Sequence, residues 1–218
     1  METIFVFKVS LLHLQWNFNN MKEKIVARAT ELFLKLGFKS ITMDDIACNM
    51  CISKKTIYKY FGNKELLIAE STETMHRTLH QIIGSIVAEN YNPIKENFEI
   101  RKMFKEMFQA ADTSPLYQLK KHYPDIYEKV MLKERFECDS VLRLNIERGI
   151  KMGLYRKDTD IENAIKFYYI LIFHINENTM QESEAQKLEL SILEYHTRAI
   201  ATAEGIAELE KHLLSPYR

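Results

Sequence analysis

The fold is decided by residues 42–67, which read TMDDIACNMCISKKTIYKYFGNKELL. Thr42 and Ser53 each stand where an N-cap residue is preferred, directly before a short helical pattern. Ala47 is small where the two predicted helices must approach each other, and Ile57 is placed to share a core with the first helix. Two short helices joined by a tight turn have the proportions of a helix-turn-helix.

The second of these helices carries unusual charge for its position. Four lysines and no acid lie between Ser53 and Lys64. Two lysines in a first helical turn oppose the helix macrodipole, at a cost of about 0.3–1 kcal/mol each. DNA phosphates would supply the compensating negative charge. The alternative is a solvated lysine face on a structural helix, and charge alone does not separate the two interpretations. The outward positions are Lys54, Lys55, Thr56, Tyr58 and Lys59.

Composition favours a helical protein with local rather than global basic charge. The chain has 218 residues, of which 46% are hydrophobic and 28% charged, and its 30 basic and 30 acidic residues give a net charge of +0. Residues 1–70 carry 10 basic and 7 acidic residues (+3), whereas residues 71–218 carry 20 and 23 (−3). Six glycines and four prolines are few for a fold with many tight turns. Three cysteines cannot pair completely, so we expect a cytoplasmic protein without a disulfide framework.

The chain is predicted to be all-α. We expect a three-helix helix-turn-helix domain at residues 21–68 and a helical ligand-binding and dimerisation domain at residues 69–218, connected by a long fourth helix that begins at Asn63. Residues 1–20 are predicted to be an extension. They are either sequence upstream of a natural start at Met21 or a short amphipathic arm packed on the body, and they are too short and interrupted to span a membrane.

The segment from residue 25 to 67 resembles the DNA-binding domain of TetR-family transcriptional regulators. The resemblance is carried by TMDDIA at 42–47 and by IYKYF at 57–61 followed by KELL at 64–67. It implies a homodimeric, ligand-responsive repressor whose third helix enters the major groove. Carried over to this chain, it implies contacts to base edges from Lys54, Lys55 and Thr56. Contacts to the DNA backbone are expected from Thr42, Tyr58, Tyr60 and Lys64, and Lys59 completes the DNA-binding set.

Cys51 departs from the family pattern, which usually has glycine at this point of the turn. Glycine tolerates a positive φ, whereas cysteine there carries a strain cost or shifts the turn. Together with Cys48 it forms a lone C-x-x-C motif without a second ligand pair. We expect two small buried residues at these positions, and a redox-sensitive pair is the alternative.

The last two long helices are predicted to form the dimer interface. Residues 167–175 are apolar nearly all the way round, and the next helix has apolar residues spaced 3, 4, 3, 4 like a coiled-coil seam. Two such helices per chain can form a four-helix interface with a second copy, as the resemblance also implies. The predicted interface residues are Ile165, Tyr168, Ile172, Leu188, Ile192 and Tyr195.

The aromatic-rich middle of the chain is predicted to hold a small-molecule site. A mainly apolar cavity with a few polar groups is the usual form of such a site. The candidate ligand-binding residues are Phe104, Phe108, Tyr117, His122, Tyr127 and His174.

These features together predict a transcriptional regulator. Its expected partners are a double-stranded DNA operator with a palindromic sequence, a small, mostly apolar effector and a second copy of the chain, with no membrane. No enzyme motif is present, and we expect no cofactor and no metal, since the seven histidines are scattered along the chain. The alternative is a helical scaffold or interaction protein with a vestigial helix-turn-helix.

Overall fold

The computed structural model describes residues 20–214. The expectation for residues 1–20 therefore falls outside the described residues, except for Asn20. The Asn20 Oδ1 accepts a hydrogen bond from the backbone N–H of Glu23 at 3.0 Å and so caps the first helix.

The described residues form ten helices and no strand, which confirms the all-α class. Isolated bridges join Thr113 to Gln181 and Tyr155 to Ala201. None of the helices between residues 20 and 214 is long and apolar enough to cross a membrane. The helices are α1 (Met21–Leu36), α2 (Met43–Asn49), α3 (Lys54–Tyr58), α4 (Lys64–Ala88), α5 (Pro93–Phe108), α6 (Pro115–His122), α7 (Pro124–Lys151), α8 (Ile161–Asn178), α9 (Glu182–Ile200) and α10 (Ala203–Leu213).

Helices α1 to α3 form the predicted helix-turn-helix domain around a common core. Phe33, Ile46 and Ile57, one from each helix, are fully buried in it. Thr42 caps α2 through a capping box: its Oγ1 accepts from the Asp45 N–H at 3.1 Å, and Asp45 Oδ2 accepts from the Thr42 N–H at 2.8 Å. The capping box fixes where α2 begins, and the shared core holds the three helices together.

Helices α4 and α6 connect this domain to the rest of the chain. Helix α4 runs without a break through the predicted boundary after residue 68. Leu119 of α6 is fully buried in the core of the helix-turn-helix domain. Beside it, Gln118 Oε1 accepts a hydrogen bond from the Phe38 N–H at 2.8 Å. The amino-terminal core is therefore completed by a helix from the carboxy-terminal part.

The carboxy-terminal part has a core of its own, built by α5 and α7 to α10. Ile146 and Tyr155 are buried in it. Glu96 is also buried, but its carboxylate accepts from Asn145 Nδ2 at 2.7 Å and pairs with Arg148 Nη1 at 2.6 Å. A buried carboxylate is tolerated when hydrogen bonds and an opposite charge satisfy it in this way.

Candidate nucleic-acid interface and interior cavity

Helix α3 presents polar and basic side chains to solvent while Ile57 anchors it to the core. The Ser53 hydroxyl caps the helix by accepting from the Thr56 N–H at 3.1 Å. Lys55 and Lys59 are exposed, and the helix is a single turn and a half long. We define the α3 surface as Lys54, Lys55, Thr56, Tyr58, Lys59 and Tyr60.

The two tyrosines of the α3 surface keep large exposed fractions, 43% for Tyr58 and 38% for Tyr60. The ammonium of Lys54 lies 5.8 Å from the Tyr58 ring centre, and that of Lys59 lies 5.9 Å from the Tyr60 ring centre. Lysine and tyrosine side chains in this arrangement present ammonium and hydroxyl donors, the groups that contact phosphate oxygens.

One lysine of the α3 surface has an acidic partner. Lys54 Nζ lies 2.7 Å from Asp44 Oδ1 of α2, and this hydrogen bond raises the pKa of the lysine. Both side chains are more than half exposed, so the pair is a weak one that a phosphate can replace.

Two of the predicted phosphate contacts are engaged inside the chain. The Thr42 hydroxyl, besides its capping role, donates to Asp45 Oδ2 at 2.7 Å. Lys64 Nζ donates to the Lys39 carbonyl at 3.0 Å, and partial burial lowers its pKa. These two side chains fix the loop and the α2 terminus next to the α3 surface. The Thr42 hydroxyl must leave Asp45 before it can donate to DNA, whereas the Lys64 ammonium has further N–H donors for a phosphate.

Cys51 lies in the turn between α2 and α3, at the position where the sequence comparison with the family pattern expects glycine. Cys51 adopts φ +54°, in the left-handed region that favours glycine. The expectation that both cysteines are buried is wrong: Cys48, on α2, and Cys51, in the turn, are free thiols exposed to solvent, because α2 buries the face that carries Ile46 and Ala47 instead.

An interior cavity of about 210 Å³ lies among α4 to α9. Its wall is mainly apolar, as is usual for small-molecule sites. Leu119, which also belongs to the core of the helix-turn-helix domain, forms part of it. The apolar lining includes Leu79, Ile83, Ile100, Phe104, Phe108, Leu116, Leu119, Val130, Val141, Ile172 and Phe173.

A few polar groups also face the cavity. Arg101 Nη2 donates to the Gln186 carbonyl at 3.0 Å, while its buried Nε has no hydrogen-bond partner among the described residues. Burial lowers the pKa of this guanidinium. Glu189 accepts from Asn176 Nδ2 at 2.7 Å, and burial raises the pKa of its carboxyl. Arg101 therefore contributes a buried N–H without a protein partner to a side chain that lines the cavity.

The structure divides the six predicted ligand-binding residues. Phe104 and Phe108 line the cavity, but the other four do not. Tyr117 accepts from Lys121 Nζ at 3.2 Å, and the Tyr127 hydroxyl donates to Glu177. The remaining two are His122, at the end of α6, and His174, which is exposed on α8. Of these four side chains, Tyr127 joins α7 to α8 through its bond to Glu177, and Tyr117 bonds within α6.

Of the six predicted dimer residues, four point into the chain and two face solvent. Ile165 and Ile192 are buried within the chain itself, and Tyr168 and Ile172 line the cavity. They point inward because α8 and α9 pack on each other and on the core. Leu188 and Tyr195 do face solvent, at 39% and 69% exposure. We define the α8/α9 face as the exposed apolar residues Phe167, Ile170, Leu171, Leu188 and Tyr195.

Sequence reasoning missed the polar groups of the cavity. Arg101, Asn176 and Glu189 come from three different helices, and each resembles an ordinary surface residue of an amphipathic helix. The sequence signal was weak, since charged residues beside aromatic ones are common on the half-exposed faces of helices such as α5.

The geometry defines a helix-turn-helix protein with a helical body, and comparison with known proteins specifies the class further. Residues 25–70 match the family described as bacterial regulatory proteins, tetR family. The matched range contains α1 from residue 25 onward, α2, α3 and the start of α4, including the whole α3 surface. Residues 25–70 therefore form a DNA-binding domain of the TetR-family type.

The chain is also similar to individual proteins. It is 30% identical over 89 residues to IcaR of Staphylococcus aureus, the HTH-type negative transcriptional regulator of the biofilm operon icaADBC. That match covers 41% of this chain, and the chain spans 45% of the length of IcaR. It is 28% identical over 163 residues to the HTH-type transcriptional regulator YhgD of Bacillus subtilis, covering 70% of this chain and 82% of YhgD.

A solved transcriptional regulator from Cytophaga hutchinsonii has the same fold. The two structures superpose with a TM-score of 0.65 at 17% identity, over 83% of this chain and 98% of the other. The likeness therefore extends through the helical body, beyond the matched amino-terminal segment.

Proposed function

We propose that the protein is a cytoplasmic transcriptional repressor that binds a palindromic operator as a homodimer and is released by a small, mostly apolar effector. The observation that carries the proposal is the α3 surface: three lysines and two tyrosines are exposed on, and directly after, a short helix that Ile57 anchors to a buried core. The name of IcaR, a negative regulator, supports repression rather than activation.

DNA binding follows from the shape and chemistry of this surface. An α-helix fits the major groove, where Lys55 and Thr56 can reach base edges. Tyr58 and Tyr60 then face the sugar-phosphate backbone as hydroxyl donors, and Lys59 neutralises phosphate charge. Lys54 can also contact a phosphate once its ammonium leaves Asp44. Because this leaves the Asp44 carboxylate unpaired, we expect Lys54 to contribute less to DNA affinity than Lys55.

A second copy of the chain is the occupant that we propose for the α8/α9 face. Exposed apolar side chains recur along one side of α8 at residues 167, 170 and 171, and α9 continues the patch with Leu188 and Tyr195. A contiguous apolar surface on two adjacent helices is typical of a self-complementary interface. The dimer would place two α3 helices on one duplex, which requires an inverted repeat.

The effector would occupy the interior cavity. The wall suits a small apolar molecule, and the Arg101 Nε suits one hydrogen-bond acceptor on it. Leu119 supports coupling to DNA, since it contacts both the cavity and the helix-turn-helix core. A ligand that shifts α6 or α4 changes the separation of the two α3 helices of the dimer. Because both α3 helices must bind their half-sites at once, a change in this separation lowers the affinity for DNA.

Selection of bound duplexes from a random DNA library by the purified chain tests the proposal. We expect enrichment of an inverted repeat with the symmetry of a dimer. A variant with Lys55→Ala and Tyr58→Ala should enrich nothing, whereas Lys157→Ala, at an exposed lysine of the body, should select the same sequence. If the unaltered chain enriches no sequence, the scaffold alternative is favoured.

A further inference from the structure

Two histidines of α4 and two glutamates of α7 form a compact cluster that the proposed function does not use. His76 and His80 lie one turn apart on α4, and their ring centres are 4.5 Å from each other. Glu137 approaches one nitrogen of each ring, at 3.3 Å from His76 Nε2 and 3.1 Å from His80 Nδ1. Glu134 approaches the opposite nitrogens, at 2.7 Å from His76 Nδ1 and 3.4 Å from His80 Nε2.

We propose that this cluster is a binding site for a divalent transition-metal ion of the zinc type. The ligands would be His76 Nε2, His80 Nδ1 and the carboxylate of Glu137. Ligand atoms from these three residues lie within 4.8 Å of one another. Tetrahedral zinc with bonds of about 2.0–2.1 Å separates its ligand atoms by about 3.3 Å, close to the two nitrogen–oxygen distances above.

Glu134 has the place of an orienting carboxylate rather than a ligand. Histidines that bind a metal usually donate their other ring N–H to a carboxylate, which fixes the tautomer and the ring orientation. Glu134 Oε1 is placed to accept the N–H of His76 Nδ1, and Glu134 Oε2 lies near His80 Nε2. That nitrogen is buried and lacks a hydrogen bond of good geometry among the described residues, so a small ring rotation on metal binding would satisfy it.

Burial and charge both suit one divalent ion. The side chains of His76, His80 and Glu134 are 7%, 17% and 17% exposed, whereas Glu137 is 44% exposed and leaves an entry path. Two carboxylates and one divalent cation give a neutral site with both rings uncharged. Without a metal, neutrality requires two imidazolium rings in contact, which repel each other. Three protein ligands leave the fourth tetrahedral position open to water, unlike purely structural zinc sites, which have four protein ligands.

A metal ion at this site would join α4 to α7. Helix α4 continues into the helix-turn-helix domain, and His80 and Glu134 also line the interior cavity. Metal binding would therefore fix the helix that determines where α3 lies. This regulatory consequence depends on the proposed DNA-binding function, but metal binding itself does not.

Calorimetric titration of the full chain with zinc, after dialysis against a chelator, tests the site. We expect one ion per chain, and with cobalt as the probe, visible absorption typical of low coordination number. His80→Gln and Glu137→Gln should weaken binding at least 100-fold, and Glu134→Gln about 10- to 100-fold. His212→Gln is the matched control, because His212 pairs with Glu208 one turn away on α10, at 3.3 Å, without a third ligand.

The outcomes separate the possibilities. Absence of stoichiometric binding by the unaltered chain would show a simple ion-pair cluster, and equal binding by Glu137→Gln would show that zinc binds through other ligands. Either result would overturn the proposal. Glu137 is the most exposed ligand, so that variant decides the matter even if a histidine variant unfolds. DNA affinity measured with and without zinc then tests the coupling. Zinc binding by a chain without DNA affinity would leave the metal site standing and refute the proposed function.

Discussion

Replacement of Glu182 by glutamine should change how stability depends on pH. Glu182 is the first residue of α9 and only 3% exposed. Its Oε1 accepts from Gln186 Nε2 at 3.0 Å, but its Oε2 has no hydrogen-bond partner among the described residues. Burial, with a smaller contribution from the nearby charge of Glu189, raises the pKa of this carboxyl from 4.5 to about 7.

The sign and size of the effect follow from linkage. A raised pKa in the folded state means that the native chain keeps a proton that the unfolded chain releases. The stability contributed by this proton is fully present below pH 4.5 and is lost as the pH rises through about 7. The pKa interval from 4.5 to about 7, at about 1.36 kcal/mol per unit, corresponds to about 3 kcal/mol.

Urea unfolding at pH 5 and pH 8.5, at one protein concentration, measures this difference. Glu182→Gln is neutral throughout, so we expect it to match the unaltered chain within about 1 kcal/mol at pH 5 and to exceed it by about 2–3 kcal/mol at pH 8.5. Glu184→Gln, an exposed position in the same turn, is the control. A stability difference between Glu182→Gln and the unaltered chain that is the same at both pH values would refute the reasoning.

Four further substitutions test the packing, the turn and the interface. Gly149→Ala should destabilise by about 2–4 kcal/mol in thermal unfolding, because an added Cβ would lie 2.0 Å from Tyr155 Cδ2, whereas Gly84→Ala, with no atom within 4 Å, should stabilise by about 0.5–1 kcal/mol. Cys51→Gly should raise stability by about 0.5–1 kcal/mol by relieving the strain at φ +54°, and a lower melting temperature would contradict this. Ile170→Glu, at a 54% exposed position of the α8/α9 face, should weaken dimerisation by at least about 3 kcal/mol in sedimentation, and an intact dimer would place the interface elsewhere.

The helix-turn-helix domain could be predicted from the sequence because its signals are local. The hydroxyls of Thr42 and Ser53 and the side chain of Asn63 cap the helices that they were expected to begin. Ile57 is fully buried as predicted. Each feature depends on residues within a few positions of one another, so tertiary packing did not need to be known.

The carboxy-terminal surfaces could not be predicted with the same success because they depend on packing. Helix α8 is apolar nearly all round, so its sequence does not indicate which side faces the cavity and which faces solvent. Ile165 and Ile172 were therefore assigned to the dimer interface although they point inward. The histidine pair at 76 and 80 has ligand spacing on a helix, but its significance depends on Glu134 and Glu137, more than 50 residues away.

The central claim is that the chain reads DNA through the α3 surface, and an affinity measurement tests it most directly. The duplex selected by the unaltered chain is titrated, by fluorescence anisotropy over a range of salt concentrations, with the unaltered chain, with Lys55→Ala/Lys59→Ala and with Lys157→Ala. We expect the double variant to lose at least about 100-fold in affinity and to have a shallower dependence of log affinity on log salt, because each lost phosphate contact removes about 0.9 from the slope. Lys157→Ala should behave as the unaltered chain. Equal affinity and equal salt dependence for all three proteins would contradict the account.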